Sequence, residues 1–184
     1  HDLAVIYGGP PSANDDLDYI KYEIDWISKV LESNKPFLGI CLGAQMLAKN
    51  LGGSVQKSHD LTLEIGFFDI NPTGDGHKMF QSQKKFFQWH REGFTVPKSC
   101  EILANGDLFR EQAFRYKNAL AIQFHPEVNL KMHLRWLYYA GYMLKEKGAQ
   151  NRREQLTHRL KHGKKINLWL DSFLDNYLLK DINS

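Results

Sequence analysis

The chain lacks most of what marks the easily named classes of protein. Only two cysteines, Cys41 and Cys100, occur among 184 residues, too few for a disulfide framework and without the C-x-x-C spacing of zinc or thiol–disulfide sites. Such usage fits a reducing cytoplasm. No apolar run approaches the ~18 residues of a membrane span, and no basic-then-apolar leader opens the chain, so a soluble protein with no membrane partner is expected. Neither sign of charge dominates: 24 Lys and Arg face 21 Asp and Glu, for a net charge of +3. The basic clusters Lys84-Lys85, Arg152-Arg153 and Lys161 to Lys165 carry no interleaved aromatic platform. They read as solvated faces, and no nucleic-acid partner is expected. His59 and His77, with Asp60 and Asp75 near them, lack the spacing of metal ligands, and nothing calls for a metal or a cofactor. Internal repeats and low-complexity segments are missing too.

What is present begins with enough apolar residue, 42% of the chain, to bury a full core in one domain spanning 1–184. The organising stretch is Pro36 to Gln45. An apolar strand ends at Gly39, Cys41 follows, then Gly43, and a helical pattern runs through Met46, Leu47, Ala48 and Leu51 to a stop at Gly52-Gly53. A strand that reverses into a helix around a nucleophile needs small residues on either side, because side chains there would clash. The turn lifts the thiol clear of the sheet and sets it at a helix start, where unpaired N–H groups favour negative charge.

The chain opens with an apolar strand, Leu3 to Tyr7, that stops at Gly8-Gly9-Pro10-Pro11, a loop suited to close approach of backbone to a ligand. Because His1 is not methionine and Leu3 already reads as core, the chain is expected to start mid-fold. Leu17, Ile20, Ile24, Ile27 and Leu31 then recur at helical spacing, and strand, helix, strand in that order predicts a parallel crossover. Between Ser54 and Phe124, short β-branched and aromatic segments predict antiparallel hairpins, with turns at Asn71 to Gly76 and at Asn105-Gly106. Beyond His125 the pattern is helical again: Leu130 to Leu144, a charged helix from about Gln150 to Lys161, and a further apolar series from Ile166 to Leu178. Trp136, Tyr138, Tyr139 and Tyr142 read as packing or an interface.

A cysteine nucleophile needs a base, and the base needs a group that fixes its tautomer. His125-Pro126-Glu127, just after a predicted buried strand, supplies both, at the carboxyl end of the sheet where the elbow also points. For the oxyanion of acyl transfer, the backbone N–H groups of Gly9 and Leu42 are the natural pair.

Gly8-Gly9-Pro10, Gly39-Ile40-Cys41-Leu42-Gly43 with Gln45, and His125-Pro126-Glu127, in this order and separation, resemble the class I (triad) glutamine amidotransferases, most closely stand-alone proteins similar to the amidotransferase part of GMP synthase. The resemblance runs from residue 2 to about residue 128. It implies a flavodoxin-like α/β fold with a mixed, mainly parallel sheet and helices on both faces. It also implies glutamine as substrate, Cys41 as nucleophile, His125 as acid and base, a γ-glutamyl thioester, and substrate contacts from Gln45 and from the segment around His90. The family's domain normally starts with a strand, a helix and another strand before the Gly-Gly-Pro loop, so the fold is expected to be N-terminally incomplete. Residues 129–184 form a helical extension too short for a synthetase domain, so any ammonia acceptor lies on a partner chain; a homo-oligomer is the alternative association. Two further functions stay open: a γ-glutamyl peptidase or hydrolase with the same triad, and an interaction subunit idle until its partner docks.

Overall fold

A computed structural model describes residues 2–179. The elements run β1 (Ala4–Ile6), α1 (Asp18–Glu32), β2 (Phe37–Ile40), α2 (Leu42–Asn50), β3 (Ser54–Lys57), β4 (Glu64–Asp69), β5 (Asn71–Pro72), α3 (Gly76–Met79), β6 (Lys85–His90), β7 (Glu92–Thr95), β8 (Glu101–Asn105), β9 (Glu111–Tyr116), β10 (Ala119–Ile122), α4 (Leu130–Tyr139) and α5 (Arg152–Tyr177), with a 3₁₀ turn at Gly141–Lys145 before α5. The main sheet is ordered β1-β2-β10-β9-β7-β3, with β8 on β9 and β5 on β8, and a separate ribbon pairs β4 with β6.

The class is the expected mixed α/β one, but parallel pairing is narrower than expected. Among the described strands it is confined to β1 with β2 and β2 with β10, while the other pairings are antiparallel. The reason is local. β8 leads into β9, and β9 into β10, through short loops, and short loops join only antiparallel neighbours.

The alternation of side chains along the central strands builds two cores. Leu38, Ile40, Leu120 and Ile122 point into a cluster closed by α5 through Ile166, Trp169 and Phe173. Phe37, Ala119 and Ala121 point to the opposite face, where α1 and α2 supply Ile20, Ile27, Val30, Met46 and Leu47. Both faces are covered, which is why these strands read as continuous apolar runs. On the α5 side Phe86 stacks on Phe124 with centroids 4.1 Å apart, and Trp169 Nε1 donates to the Met79 carbonyl at 2.7 Å, so the indole is buried with its polar atom satisfied.

The C-terminal segment differs from expectation in one respect: the charged and apolar series form one helix, α5, running straight through Gly163. A capping box starts it, Asn151 Oδ1 accepting from Glu154 N–H and Glu154 Oε2 from Asn151 N–H. A mid-helix glycine costs about 1 kcal/mol relative to alanine, yet a Cβ at Gly163 would sit 3.3 Å from Arg159 Cδ, so the glycine leaves room for that long side chain. The segment is anchored to β4 by Gln150, whose amide both accepts from Phe67 N–H at 2.9 Å and donates to Phe67 O at 2.8 Å.

Candidate functional site

Adjacency of β1, β2 and β10 solves the problem of bringing three distant motifs together, because Gly8-Gly9, Cys41 and His125 each follow the carboxyl end of one of these neighbouring strands. Cys41 has φ 50° and ψ −103°, a backbone state that a non-glycine residue holds only when its surroundings over-determine it. The surroundings do so: Cys41 N–H donates to Ile122 O at 2.8 Å, and Gln45 N–H to Cys41 O at 3.0 Å. Leu42 opens α2, so its N–H is among those left unpaired at a helix start. Gly9 lies against it, a Cβ on Gly9 falling 3.3 Å from Leu42 Cδ2.

His125 is held from several sides. Its Nδ1 lies 2.7 Å from Glu127 Oε1, its backbone N–H donates to Phe87 O at 2.8 Å, and its ring meets Trp136 edge-on at 5.0 Å. Burial pulls the imidazole pKa down, but the negative charges of Cys41 and Glu127 and the hydrogen bonds to both outweigh it and push the pKa up to about 10. The arrangement favours the imidazolium form of His125. Gly8 is a glycine for want of space: a Cβ there would lie 2.5 Å from His125 Cε1 and 3.2 Å from Cys41 Cβ.

The structure thus brings Cys41, His125, Glu127, Gly9 and Leu42 to one place. With the exception of Glu127, they line a cavity of about 580 Å³, which Gln45 and His90 also border. Gln45 Nε2 is engaged by the Glu92 carbonyl at 2.9 Å, which leaves its Oε1 as the end able to receive a donor. His90 has both ring nitrogens occupied, Nδ1 by Glu92 O at 2.9 Å and Nε2 by Gln88 Oε1 and Glu64 Oε2 at 3.1 and 3.0 Å. What His90 can offer a ligand is therefore backbone. Gln112 extends this buried network, donating to Glu64 Oε2 at 2.9 Å and accepting from Gln88 at 2.7 Å.

Sequence reasoning missed the far wall of the cavity, built by Met132, Arg135, Trp136, Tyr139 and Tyr142. The clustered aromatics were the available signal, read there as packing or an interface. It also missed the Gln88, Gln112 and Glu64 network, for which strand patterning holds no signal beyond polar residues on otherwise apolar strands. Among the described residues no three His, Cys, Asp or Glu side chains gather as a metal ligand set, and no helix is long and apolar enough to cross a membrane.

Behind the cavity, His133 on α4 is fully buried. Its Nε2 meets Gln155 Oε1 at 3.0 Å and its Nδ1 accepts from Arg159 Nε at 3.3 Å, a pair of partners that suits only the neutral Nε2–H tautomer. Burial, opposed by the Gln155 hydrogen bond and reinforced by the Arg159 charge, pulls its pKa from 6.5 to about 4. A lowered folded-state pKa gives stability that is complete above pH 6.5 and is lost as the pH falls from there through about 4, by on the order of 2–3 kcal/mol. Urea titrations at pH 7.5 and pH 4.5 should therefore show a larger acid loss in the native chain than in His133→Gln. Equal losses would sink the assignment.

A mixed sheet with helices on both faces, carrying its functional loops at the ends of three adjacent strands, defines a flavodoxin-like α/β protein. The profile described as Glutamine amidotransferase class-I matches residues 1–140, and the chain belongs to that family. It is 33% identical over 133 residues to the glutamine-hydrolysing GMP synthase subunit of Sulfurisphaera tokodaii, covering 70% of this chain and 68% of that protein. The corresponding subunit of Methanobrevibacter smithii is 33% identical over 135 residues, covering 69% of this chain and 65% of that one. The chain spans about two thirds of the length of these relatives. Among solved structures, a glutamine amidotransferase from Thermotoga maritima superposes with a TM-score of 0.86 at 31% identity, covering 97% of this chain and 78% of that one. Another from Methylobacillus flagellatus gives 0.82 at 25% identity, covering 90% and 71%.

Proposed function

We propose that the chain hydrolyses the side-chain amide of glutamine through a thioester on Cys41. Residues 1–184 would act as one amidotransferase unit, with 129–184 as its helical extension. The observation that carries the reading is the doubly held imidazole of His125, between Cys41 and the Glu127 carboxylate 2.7 Å from its Nδ1. In the first step Cys41 Sγ attacks the side-chain carbonyl carbon, and the N–H groups of Gly9 and Leu42 receive the oxyanion. His125 then gives its proton to the amide nitrogen, the C–N bond breaks and ammonia leaves. In the second step water loses a proton to His125 and attacks the thioester, the C–S bond breaks, and glutamate leaves with the thiolate restored. Glu127 holds the imidazole in the tautomer and orientation both steps need. Gln45 Oε1 and the backbone at His90 would hold the substrate.

The relatives named as GMP synthase subunits support a synthetase chain as the partner that consumes the ammonia. A cytoplasmic setting suits that pairing. Tyr138, Tyr139 and Tyr142, 78%, 69% and 71% exposed beside the cavity, would lie at the shared surface. One observation favours a second reading: the cavity of about 580 Å³, walled on one side by Met132, Arg135 and Tyr139, suits a γ-glutamyl amide larger than glutamine.

Intact-protein mass spectrometry after treatment with a glutamine-mimicking electrophile tests the proposal. One adduct is expected on Cys41 and none on Cys41→Ser. Labelling of Cys100 alone, or no labelling of a folded protein, overturns it. Ammonia release from glutamine, set against cleavage of γ-glutamyl peptides, separates the two substrates.

A further inference from the structure

Arg159 is the most anomalous charge in the fold. It is 4% exposed, and its guanidinium lies over the rings of Phe67 and Phe87, 5.0 and 4.9 Å from their centroids. Only Nε has a hydrogen-bond partner, His133 Nδ1; Nη1 and Nη2 have none among the described residues. A buried cation left so is costly unless an opposite charge compensates it. The matching orphan is Glu127 Oε2, the carboxylate oxygen that does not meet His125, which is also buried and unpartnered among the described residues. Glu127 is moreover the acid whose charge acts on Arg159: burial pulls the guanidinium pKa down to about 10, and the Glu127 charge opposes the fall.

We infer that Arg159, carried on α5 beyond residues 1–140 that the family profile spans, is a positioning residue for the site: its buried charge holds the Glu127 carboxylate turned so that Oε1 meets His125 Nδ1. The guanidinium and Oε2 make no direct hydrogen bond, and internal waters are the common bridge between such unpaired buried groups. The other titratable groups bearing on this pair are His125 from the loop after β10 and His133 from α4. On α5 itself His158 adjoins Arg159, and His162 lies beyond it under the influence of Lys85 from β6. The helical extension would thus be a working part of the site as well as a cover for the sheet.

The inference rests on the proposed triad but is tested by two readouts, of which one needs no substrate. Removing the charge in Arg159→Met, which keeps a long apolar stem, should lower kcat for glutamine by on the order of tenfold with KM nearly unchanged. Arg159→Lys should restore most of the loss. In a Glu127→Gln background, Arg159→Met should cost nothing further in kcat, because the two act through one group. Independently, the pH profile of Cys41 alkylation by iodoacetamide should move upward by about one unit in Arg159→Met, since a carboxylate no longer held against His125 Nδ1 supports the imidazolium less. That second readout stands even if glutamine is not the substrate. An unchanged alkylation profile in folded Arg159→Met overturns the inference. So do losses that add fully to those of Glu127→Gln, or an Arg159→Lys protein as impaired as Arg159→Met, since each marks a merely structural arginine.

Discussion

Replacing Cys41 by alanine should lower kcat/KM for glutamine by on the order of 10⁴ or more, and His125→Ala should do the same, with the double variant no worse than either. The non-additivity follows from the chemistry. In the proposed mechanism, no thioester would form for the imidazole to serve without the sulfur, and the amide nitrogen would leave unprotonated without the imidazole. Alanine keeps the Cβ of Cys41, so the elbow that holds φ at 50° through the Cys41 to Ile122 hydrogen bond of 2.8 Å should persist, and the loss is chemical and not conformational. Steady-state release of glutamate measures it, with the thermal midpoint as the control on folding. A Cys41→Ala protein within tenfold of the native rate would remove cysteine from the mechanism. A double variant far below both singles would mean that the two residues act separately.

The second large effect is on folding. Gly43→Ala should leave the chain largely insoluble, because the added Cβ would stand 2.1 Å from the Ile6 carbonyl oxygen and 2.8 Å from its carbon. Those atoms belong to the backbone of β1, pinned to β2 by the register Ile6↔Gly39, and cannot move aside like a flexible side chain. Gly39 is similarly closed, with a Cβ there 2.6 Å from Gly43 O, so the helix cannot slide the other way. Relief would have to part α2 from the sheet, at a cost expected to exceed about 4 kcal/mol, a large part of the ~5–15 kcal/mol that holds a domain together. Expression, solubility and a urea midpoint read the outcome. A soluble Gly43→Ala protein within about 1 kcal/mol of the native chain would show that the strand and helix are not packed this closely.

Much of this was legible along the chain because its signals are local. Gly39, Cys41 and Gly43 announce a tight strand-to-helix reversal through side-chain size alone, and the run at Leu120 to Phe124 announces a strand buried on both faces. The apolar periodicity of α1 was equally plain. Less legible was the balance of pairing, since a short strand does not carry its neighbour's direction and only the turn lengths hint at it. The continuity of the last helix through Gly163 was not legible either, because intrinsic propensity counts against glycine. The close approach of the Arg159 stem, which makes glycine useful there, depends on a side chain one helical turn earlier. His90 looked like a substrate contact by position, yet its ring is occupied by Glu64 and Gln88, Glu64 being the partner that strand pairing sets opposite it across the ribbon from β4 to β6.

The order of residues by itself determined the chemical parts: a thiol at a helix start, a histidine two residues before a carboxylate, and a glycine loop able to come close. Residue type and spacing along a chain decide such matters, since glycine's missing Cβ and cysteine's sulfur act over one or two peptide units. Tertiary structure alone decided that the ends of β1, β2 and β10 stand side by side, that α4 walls the cavity, and that a buried arginine on α5 shares its surroundings with Glu127. Those facts rest on non-local strand pairing and on burial, which fix charges and rings in space without regard to their separation in the chain.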